Sequence, residues 1–443
     1  MTRIIAAEVV DVRFPTSLEL DGSDAVNVDP DYSAAYLKLT TDEGPDGYGL
    51  VFTAGRGNEV VVAAIESAVA LLPDENLDEL LSHLGEVSRA LVHDSQFRWI
   101  GPEKGAAHMA AGAVLNALWD LKAKRAGLPL WELLARMTPE ELVEVVDFSH
   151  LRDAITEAEA LDIFTRGQEG KEQRIAELKQ HGYAAYTTSP GWLGYSDDKM
   201  VRLAKEAVAD GFTLIKLKVG RSVTDDIRRM QLARAAVGPD IKIAVDANQI
   251  WEVHEASEWI NALADHDVYW VEEPTSPDDV LGHARIRREV SPIKIATGEA
   301  VQNRIIFKQL LQAEALDFMQ IDSTRVAGPN ENVANLLLAK RFGIPVCPHA
   351  GGVGLCELVV HFSFFDYAVV SATQENRVIE FVDHLHEHFV APVSVVNGRY
   401  QAPSAPGNGA EMYPESVQRW AYPAGAGWEE LRTTGQIGSV ASS

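Results

Sequence analysis

Leu214-Ile215-Lys216-Leu217-Lys218-Val219 places two lysines two positions apart inside an otherwise apolar run. Side chains of an extended strand alternate between faces, so Lys216 and Lys218 share one face. Their apolar flanks mark a buried strand of the kind that parallel sheets use. Runs of the same texture recur downstream: Ile243-Ala244-Val245-Asp246, Tyr269-Trp270-Val271-Glu272, Ile295-Ala296-Thr297-Gly298-Glu299, Phe318-Met319-Gln320-Ile321-Asp322 and Pro345-Val346-Cys347-Pro348-His349. Helical patterns such as Ile305 to Leu316 and Asn332 to Arg341 lie between them. Regular strand–helix alternation predicts parallel βαβ units, and more than six of them favour a closed (β/α)8 barrel over an open sheet.

The start of the barrel has two candidates. Val145-Val146-Asp147-Phe148 and Ala184-Ala185-Tyr186-Thr187-Thr188 are separated by the charged helical stretch Glu157 to Gln180. The second is preferred, because Trp192 to Val219 then makes one normal loop–helix–strand unit. Upstream, Ile4 to Phe14 and Ala35 to Thr41 read as strands joined by a long polar loop from Glu19 to Tyr32, the kind of segment that serves as a lid. Asn58 is placed to cap a helix reaching Leu72. A second helix spans about Gly105 to Ala126, with Lys122, Lys124 and Arg125 in its last turn, Gly127 as its stop and Pro129 beyond. In the tail, Val395-Val396-Asn397-Gly398-Arg399-Tyr400 carries the Asn-Gly signal of a tight hairpin, expected to return to the amino-terminal region.

The 443 residues exceed usual single-domain size, so a large barrel with a second domain is expected. A net charge of −26 opposes phosphate backbones and anionic lipids, so neither nucleic acid nor membrane is an expected partner. No apolar stretch has the length of a membrane span, and Glu8 and Asp11 interrupt any secretory signal core, so a cytoplasmic location is expected. Cys347 and Cys356 are expected to be reduced and unpaired. The triplet His384, His386 and His388 has a spacing of two that suits no helical metal site, and it reads as structural.

Each barrel run closes on an ionisable residue: Lys218, Asp246, Glu272, Glu299, Asp322 and His349, about one strand–helix unit apart. One such Asp is ordinarily a helix cap, but six in register converge on the carboxyl-terminal mouth where barrel active sites are built. Asp246, Glu299 and one of the neighbours Glu272 and Glu273 offer hard oxygen donors without a competing thiolate, which suits Mg²⁺. Paired ammonium groups near such an ion should lower a lysine pKa, giving one base and one electrostatic clamp. Asp322, one strand before His349, is placed to orient its imidazole and raise its pKa. The short Gly55-Arg56-Gly57 turn is at most a weak anion cradle.

With these residues in place the chain resembles the mandelate-racemase branch of the enolase superfamily. The likeness rests on Lys216-Leu217-Lys218, Asp246-Ala247-Asn248, Val271-Glu272-Glu273-Pro274, Thr297-Gly298-Glu299, Ile321-Asp322 and His349-Ala350-Gly351-Gly352. Ala117-Leu118-Trp119-Asp120-Leu121 with Gly127-Leu128-Pro129 looks like the family's capping-domain helix. Longer strings, Phe97-Arg98-Trp99-Ile100-Gly101-Pro102-Glu103-Lys104-Gly105 and Trp192-Leu193-Gly194-Tyr195-Ser196-Asp197-Asp198, are similar to the subgroup that dehydrates L-fuconate. The resemblance implies a modified TIM-type barrel (residues 143–392) capped by an α+β domain built from residues 1–142 and a returning tail, 393–443. It implies a homo-oligomeric Mg²⁺-dependent hydro-lyase acting on a small acid sugar, with racemases and other acid-sugar dehydratases as neighbouring activities. Asp246, Glu272 and Glu299 would bind the metal, which decides between Glu272 and Glu273. Lys218 would be the base at C2 with Lys216 as its electrostatic partner, and His349, held by Asp322, the acid at the 3-hydroxyl. Asn248 and Glu380 would contact substrate, and Ser23, Asp24 and Tyr32 of the lid would set specificity. A lysine base with Mg²⁺ is a general feature of enolase-superfamily sites.

Overall fold

The computed structural model describes residues 2–74 and 76–437. Strands β1 (Ile4–Arg13), β2 (Ser33–Thr41) and β3 (Gly47–Thr53) form an antiparallel meander in that order. It lies on the long helix Gly105–Ala126, whose side chains are buried nearly all round. Close approach is possible because β3 offers glycine at the contact: a Cβ added to Gly49 would fall 2.1 Å from the Ala113 carbonyl oxygen. That helix ends on Gly127 in the left-handed conformation, with Lys124 and Arg125 in its last turn. Gly57, not Asn58, precedes the helix Asn58–Val69, and the Asn58 amide instead ties Asp11 to Thr53, at 2.6 and 2.8 Å.

Strands β4 (Tyr183–Thr187), β5 (Leu214–Lys218), β6 (Lys242–Asp246), β7 (Val268–Glu272), β8 (Lys294–Thr297) and β9 (Phe318–Met319) pair in parallel, each with the next. The seventh stave is the extended segment 345–349. The Met319 N–H donates to Pro345 O at 3.0 Å, Cys347 N–H to Met319 O at 2.9 Å and His349 N–H to Ile321 O at 3.0 Å. Glu380 N–H then donates to Pro348 O at 3.3 Å, and β10 (Ile379–Phe381) pairs in parallel with β4, closing the ring. The first stave is β4. Val145 to Phe148 is a buried turn after the helix Pro139–Glu144, folded by Asp147 accepting from the Ser149 N–H at 2.9 Å.

The tail hairpin, β11 (Val395–Val396) and β12 (Arg399–Tyr400), turns through Asn397 and Gly398, both at positive φ. It does not return to the amino-terminal layer as expected. It pairs antiparallel with β4, Arg399 opposite Ala184 and Tyr400 opposite Tyr183. The cause is an open edge: β4 meets β5 at Thr187 and β10 only from Ala185 onward, so Tyr183 and Ala184 need backbone partners. The chain reaches the amino-terminal layer later, where Leu130 N–H donates to Gly407 O at 2.8 Å and Val12 bridges Ala421.

Inside the barrel, period-two alternation sorts the staves into layers. Tyr186, Leu214, Ala244, Trp270, Ala296, Phe318 and Cys347 pack into one apolar cluster across the interior. Two residues further along the same faces come Lys216, Asp246, Glu272, Gln320 and His349, all buried. The apolar layer is therefore a floor, and chemistry begins directly above it.

A buried polar network joins the long amino-terminal helix to the barrel. Glu331 accepts from Ala327 N–H and Arg304 N–H, both at 2.7 Å, and also meets His108 Nε2 at 2.7 Å and the Arg304 guanidinium at 3.5 Å. Arg304 also pairs with Glu103 and Asp147. Burial would raise the Glu331 pKa, but His108, Arg304 and the Ala327 N–H outweigh it and hold the group at about 2. The folded value lies below the ordinary 4.5, so the stability gained is complete above pH 4.5 and drains away as pH falls toward 2. Glu331→Gln should therefore cost roughly 3 kcal/mol at neutral pH. Urea midpoints taken across pH should show the gap between variant and wild type shrinking as pH falls below 4.5.

Candidate active site

Three carboxylates meet at the barrel mouth. Asp246 ends β6, Glu272 ends β7, and Glu299 follows β8 after Gly298. Gly298 has φ +148°, and a Cβ there would strike the Gln320 carbonyl oxygen at 2.1 Å, so only glycine lets the chain turn Glu299 into the mouth. Asp246, Glu272 and Glu299 each present an oxygen within 4.8 Å of the others. Glu273 is buried beside them, but it lies outside this set, and its Oε1 accepts from Gln249 Nε2 at 2.9 Å. The geometry thus separates the two neighbouring glutamates that alternation alone left open.

Both lysines face these acids. Lys216, fully buried, lies 2.5 Å from Glu272, 3.0 Å from Glu380 and 3.3 Å from Asp246. Lys218 donates to Asp246 Oδ2 at 2.5 Å. Burial opposes charge on both lysines, yet Glu272 and Glu380 hold Lys216, and Asp246 holds Lys218, well above the ordinary lysine value. Here each ammonium serves as counter-ion to a carboxylate, which outweighs its like-charged neighbour. Asp246 is correspondingly held far below the carboxylate range, by Lys218 and Lys216 against its burial.

On the other flank His349 Nδ1 meets Asp322 Oδ2 at 2.8 Å, as its place in the sequence predicts. Burial opposes the imidazolium, but Glu299, Asp322 and Glu380 raise its pKa to about 10. His349 Nε2 lies 3.5 Å from Glu299 Oε2.

Lys218, Asn248, Glu299 and His349 line one cavity of about 290 Å³, together with Asp24 and Tyr32 of the lid. Asn248 and Gln249 sit at positive φ just beyond β6, and the Asn248 Oδ1 is buried without a partner, an arrangement that fits a contact held for substrate. Glu380 and Ser23 do not line the cavity. Glu380 accepts from the Thr188 hydroxyl, from Lys216 and from Ala350 N–H at 2.8 Å, so it backs the site. Ser23 Oγ donates to Leu20 O at 2.7 Å and accepts from Gly194 N–H at 2.9 Å. With the Tyr195–Asp21 hydrogen bond, it latches the lid to the loop after β4. Asp24 lines the cavity but also folds the lid turn, its Oδ1 accepting from Val26 and Asn27 N–H at 2.7 and 2.6 Å.

Of the histidine triplet, His386 bonds Glu357 at 2.6 Å and His388 stacks on Phe14 at 4.5 Å, both structural. His384 rests near Tyr32 and Trp192 at the edge of the site. The sequence reading missed Phe52, Trp192, Gln249 and Arg325, all of which line the cavity. Arg325 had a readable signal, since it follows a strand-end acid by three residues; Phe52 had none, because it comes from a remote strand.

The acid set fits a hard divalent cation. Glu299 Oε2 is buried without a hydrogen bond, and three anionic oxygen donors converge with no thiolate nearby. Among the described residues, no helix is long and apolar enough to cross a membrane.

Residues 15–135 match the mandelate racemase / muconate lactonizing enzyme N-terminal domain, and residues 199–416 the enolase C-terminal domain-like family. The chain is 52% identical over 433 residues to human mitochondrial enolase superfamily member 1, covering 97% of this chain and 98% of that protein. The crystal structure of that human protein superposes with a TM-score of 0.95, over 97% of this chain and 98% of that one. L-galactonate dehydratase of Hypocrea jecorina is 49% identical over 425 residues, 94% of each chain. A racemase from Streptomyces coelicolor with bound magnesium, 26% identical, superposes with a TM-score of 0.73 over 95% of this chain and all of that one. Sequence, barrel topology and the convergence of acids at its mouth agree: the chain belongs to the enolase superfamily, with the paired domains of its mandelate racemase / muconate lactonizing enzyme members.

Proposed function

We propose that the protein is a Mg²⁺-dependent hydro-lyase that dehydrates an acid sugar of L-galacto configuration, L-fuconate or L-galactonate, to the 2-keto-3-deoxy acid. The observation that carries the reading is the placement of Lys218 and His349 on one cavity beside a convergent carboxylate triad. The two substrates differ only at C6, where L-fuconate lacks a hydroxyl. The motif strings favour L-fuconate, and the named Hypocrea relative favours L-galactonate.

Asp246, Glu272 and Glu299 would hold the magnesium, which when bound supplies positive charge where the substrate carboxylate becomes more negative. Lys218 Nζ takes the C2 proton. Its ammonium is the counter-ion of Asp246 here, so it becomes a base only when Asp246 has another counter-charge. Lys216 keeps its own proton, gripped by Glu272 and Glu380, and stays a fixed cation that favours the growing anion. His349 Nε2 gives its proton to the 3-hydroxyl. The C2–H electrons pass first onto the substrate carboxylate as an enediolate, then return to form the C2–C3 double bond as the C3–O bond breaks and water leaves, and the enol then tautomerises to the ketone. Asp322 keeps the imidazole turned toward the cavity and stabilises its charged form.

A second reading shares this geometry. Bases on two flanks of one cavity can also epimerise C2, and a structural relative with bound magnesium is named a racemase. Product analysis separates the two.

An acid-sugar panel assayed with and without EDTA tests the proposal. L-Fuconate or L-galactonate should lose water only with Mg²⁺ present; turnover that ignores EDTA, or a product that keeps its 3-hydroxyl, would overturn it. Lys218→Met should lower the dehydration rate by about 10³-fold or more and abolish deuterium uptake at C2 in D₂O. His349→Asn should lose dehydration to a similar degree while retaining C2 exchange, because proton removal and water loss rest on different side chains.

A further inference from the structure

We infer that Thr324 is a positioning residue through which the capping sheet fixes the orientation of the acid His349, an inference that rests on the dehydratase reading above. Its hydroxyl is a junction. It donates to Asp322 Oδ1 at 3.1 Å and accepts from the Phe52 backbone N–H at 3.3 Å. Thr324 N–H and Arg325 N–H donate to the same Oδ1, at 2.6 and 2.9 Å. Asp322 Oδ2 is left for His349 Nδ1. A carboxylate held on one oxygen by several converging donors has no freedom to rotate, and an imidazole bonded to its other oxygen inherits that fixed direction.

Phe52 also touches the loop that carries the other half of the dyad. A Cβ added to Gly352 would fall 2.7 Å from the Phe52 ring, so the ring lies against the backbone three residues beyond His349. The same ring meets Tyr32 of the lid edge-on, at 5.0 Å and 84°. The end of β3 therefore grips both loops that carry the acid and its orienting carboxylate. Through β3 the dyad also senses where the lid's Tyr32 sits. Thr324 is the polar link in that grip, buried at 2% exposure, and its hydroxyl uses both its donor and its acceptor capacity on it.

The link predicts a selective defect. Thr324→Val keeps the shape but removes the donor to Asp322 and the acceptor for Phe52, whereas Thr324→Ser keeps both. Dehydration and C2 deuterium exchange are measured together in D₂O with saturating Mg²⁺, on whichever acid sugar the wild type dehydrates best. Thr324→Val should lower dehydration by about 10-fold with KM within about twofold. Exchange through Lys218 should persist, so the ratio of exchange to dehydration rises about 10-fold, and Thr324→Ser should restore it. Equal loss of both reactions, or loss of neither, overturns the inference. The ¹H–¹⁵N resonances of the His349 imidazole supply a readout without turnover: they should move in Thr324→Val and stay near wild type in Thr324→Ser, and an unmoved signal in both overturns the link. If the wild type dehydrates no acid sugar, the functional reading fails, and the imidazole spectrum still decides the role of Thr324.

Discussion

Charge balance at the mouth of the barrel governs this structure. Asp246, Glu272, Glu273, Asp322 and Glu380 are almost wholly buried within one small volume, against Lys216, Lys218 and His349. Burying a carboxylate without compensation is expensive enough that the group would take up a proton instead. Burial and the neighbouring acids push both Glu272 and Glu273 upward, Glu272 despite Lys216, while both lysines hold Asp246 low and Lys216 with His349 holds Glu380 low. The arrangement is tolerable only if cations are held to it, and the fold is built to hold them. A divalent ion suits the remaining imbalance better than a further lysine, because it accepts several oxygens at once and brings no long side chain to be ordered.

The apolar floor below makes that concentration possible. Trp270, Phe318 and Tyr186 fill the barrel's lower interior, so the charged layer rests on a buried, packed apolar surface. The same strands carry both layers, since each step of two residues climbs from floor to mouth. A polar substitution on the floor would thus act twice, by loosening the core and by admitting solvent beneath the acids. The global charge of −26 does not keep an anionic substrate away, because the cavity presents Lys218, Arg325 and His349 locally.

Much of this was legible because strands are periodic. Regular spacing puts Lys218, Asp246, Glu272, Glu299, Asp322 and His349 on one rim and alternation puts Lys216 on the face of Lys218, and the staves carry them there, Glu299 from just beyond its strand. The legible part stops where contacts depend on surfaces that meet from afar. The hairpin at Asn397-Gly398 was recognisable as a turn, but its docking on β4 follows from an unfilled backbone edge that only the closed ring reveals. Ser23 looked like a contact and proved a latch, because a hydroxyl's partners are fixed by the loop it faces. Glu380 sits within the closing stave, yet Lys216 and Ala350 occupy its oxygens. Phe52 was invisible for the same reason: nothing within β3 says that its end will lie on Gly352.

That boundary follows the division of labour between the two parts of the fold. The barrel supplies groups whose positions follow from strand geometry, and these are the groups to which the proposed reaction assigns proton transfer and charge balance. The capping sheet and lid supply groups whose positions depend on docking, and these close the cavity and brace the acid. Chemistry common to a superfamily can be written in the first set, where register protects it from drift. Substrate choice can be rewritten in the second set, where a changed loop alters the wall without moving the floor or the rim. Such a loop is free to vary only while its anchors hold, and in this protein the anchors reach the dyad itself, through Phe52 and Thr324 to Asp322. The lid therefore carries a constraint that its polar, turn-rich sequence does not show.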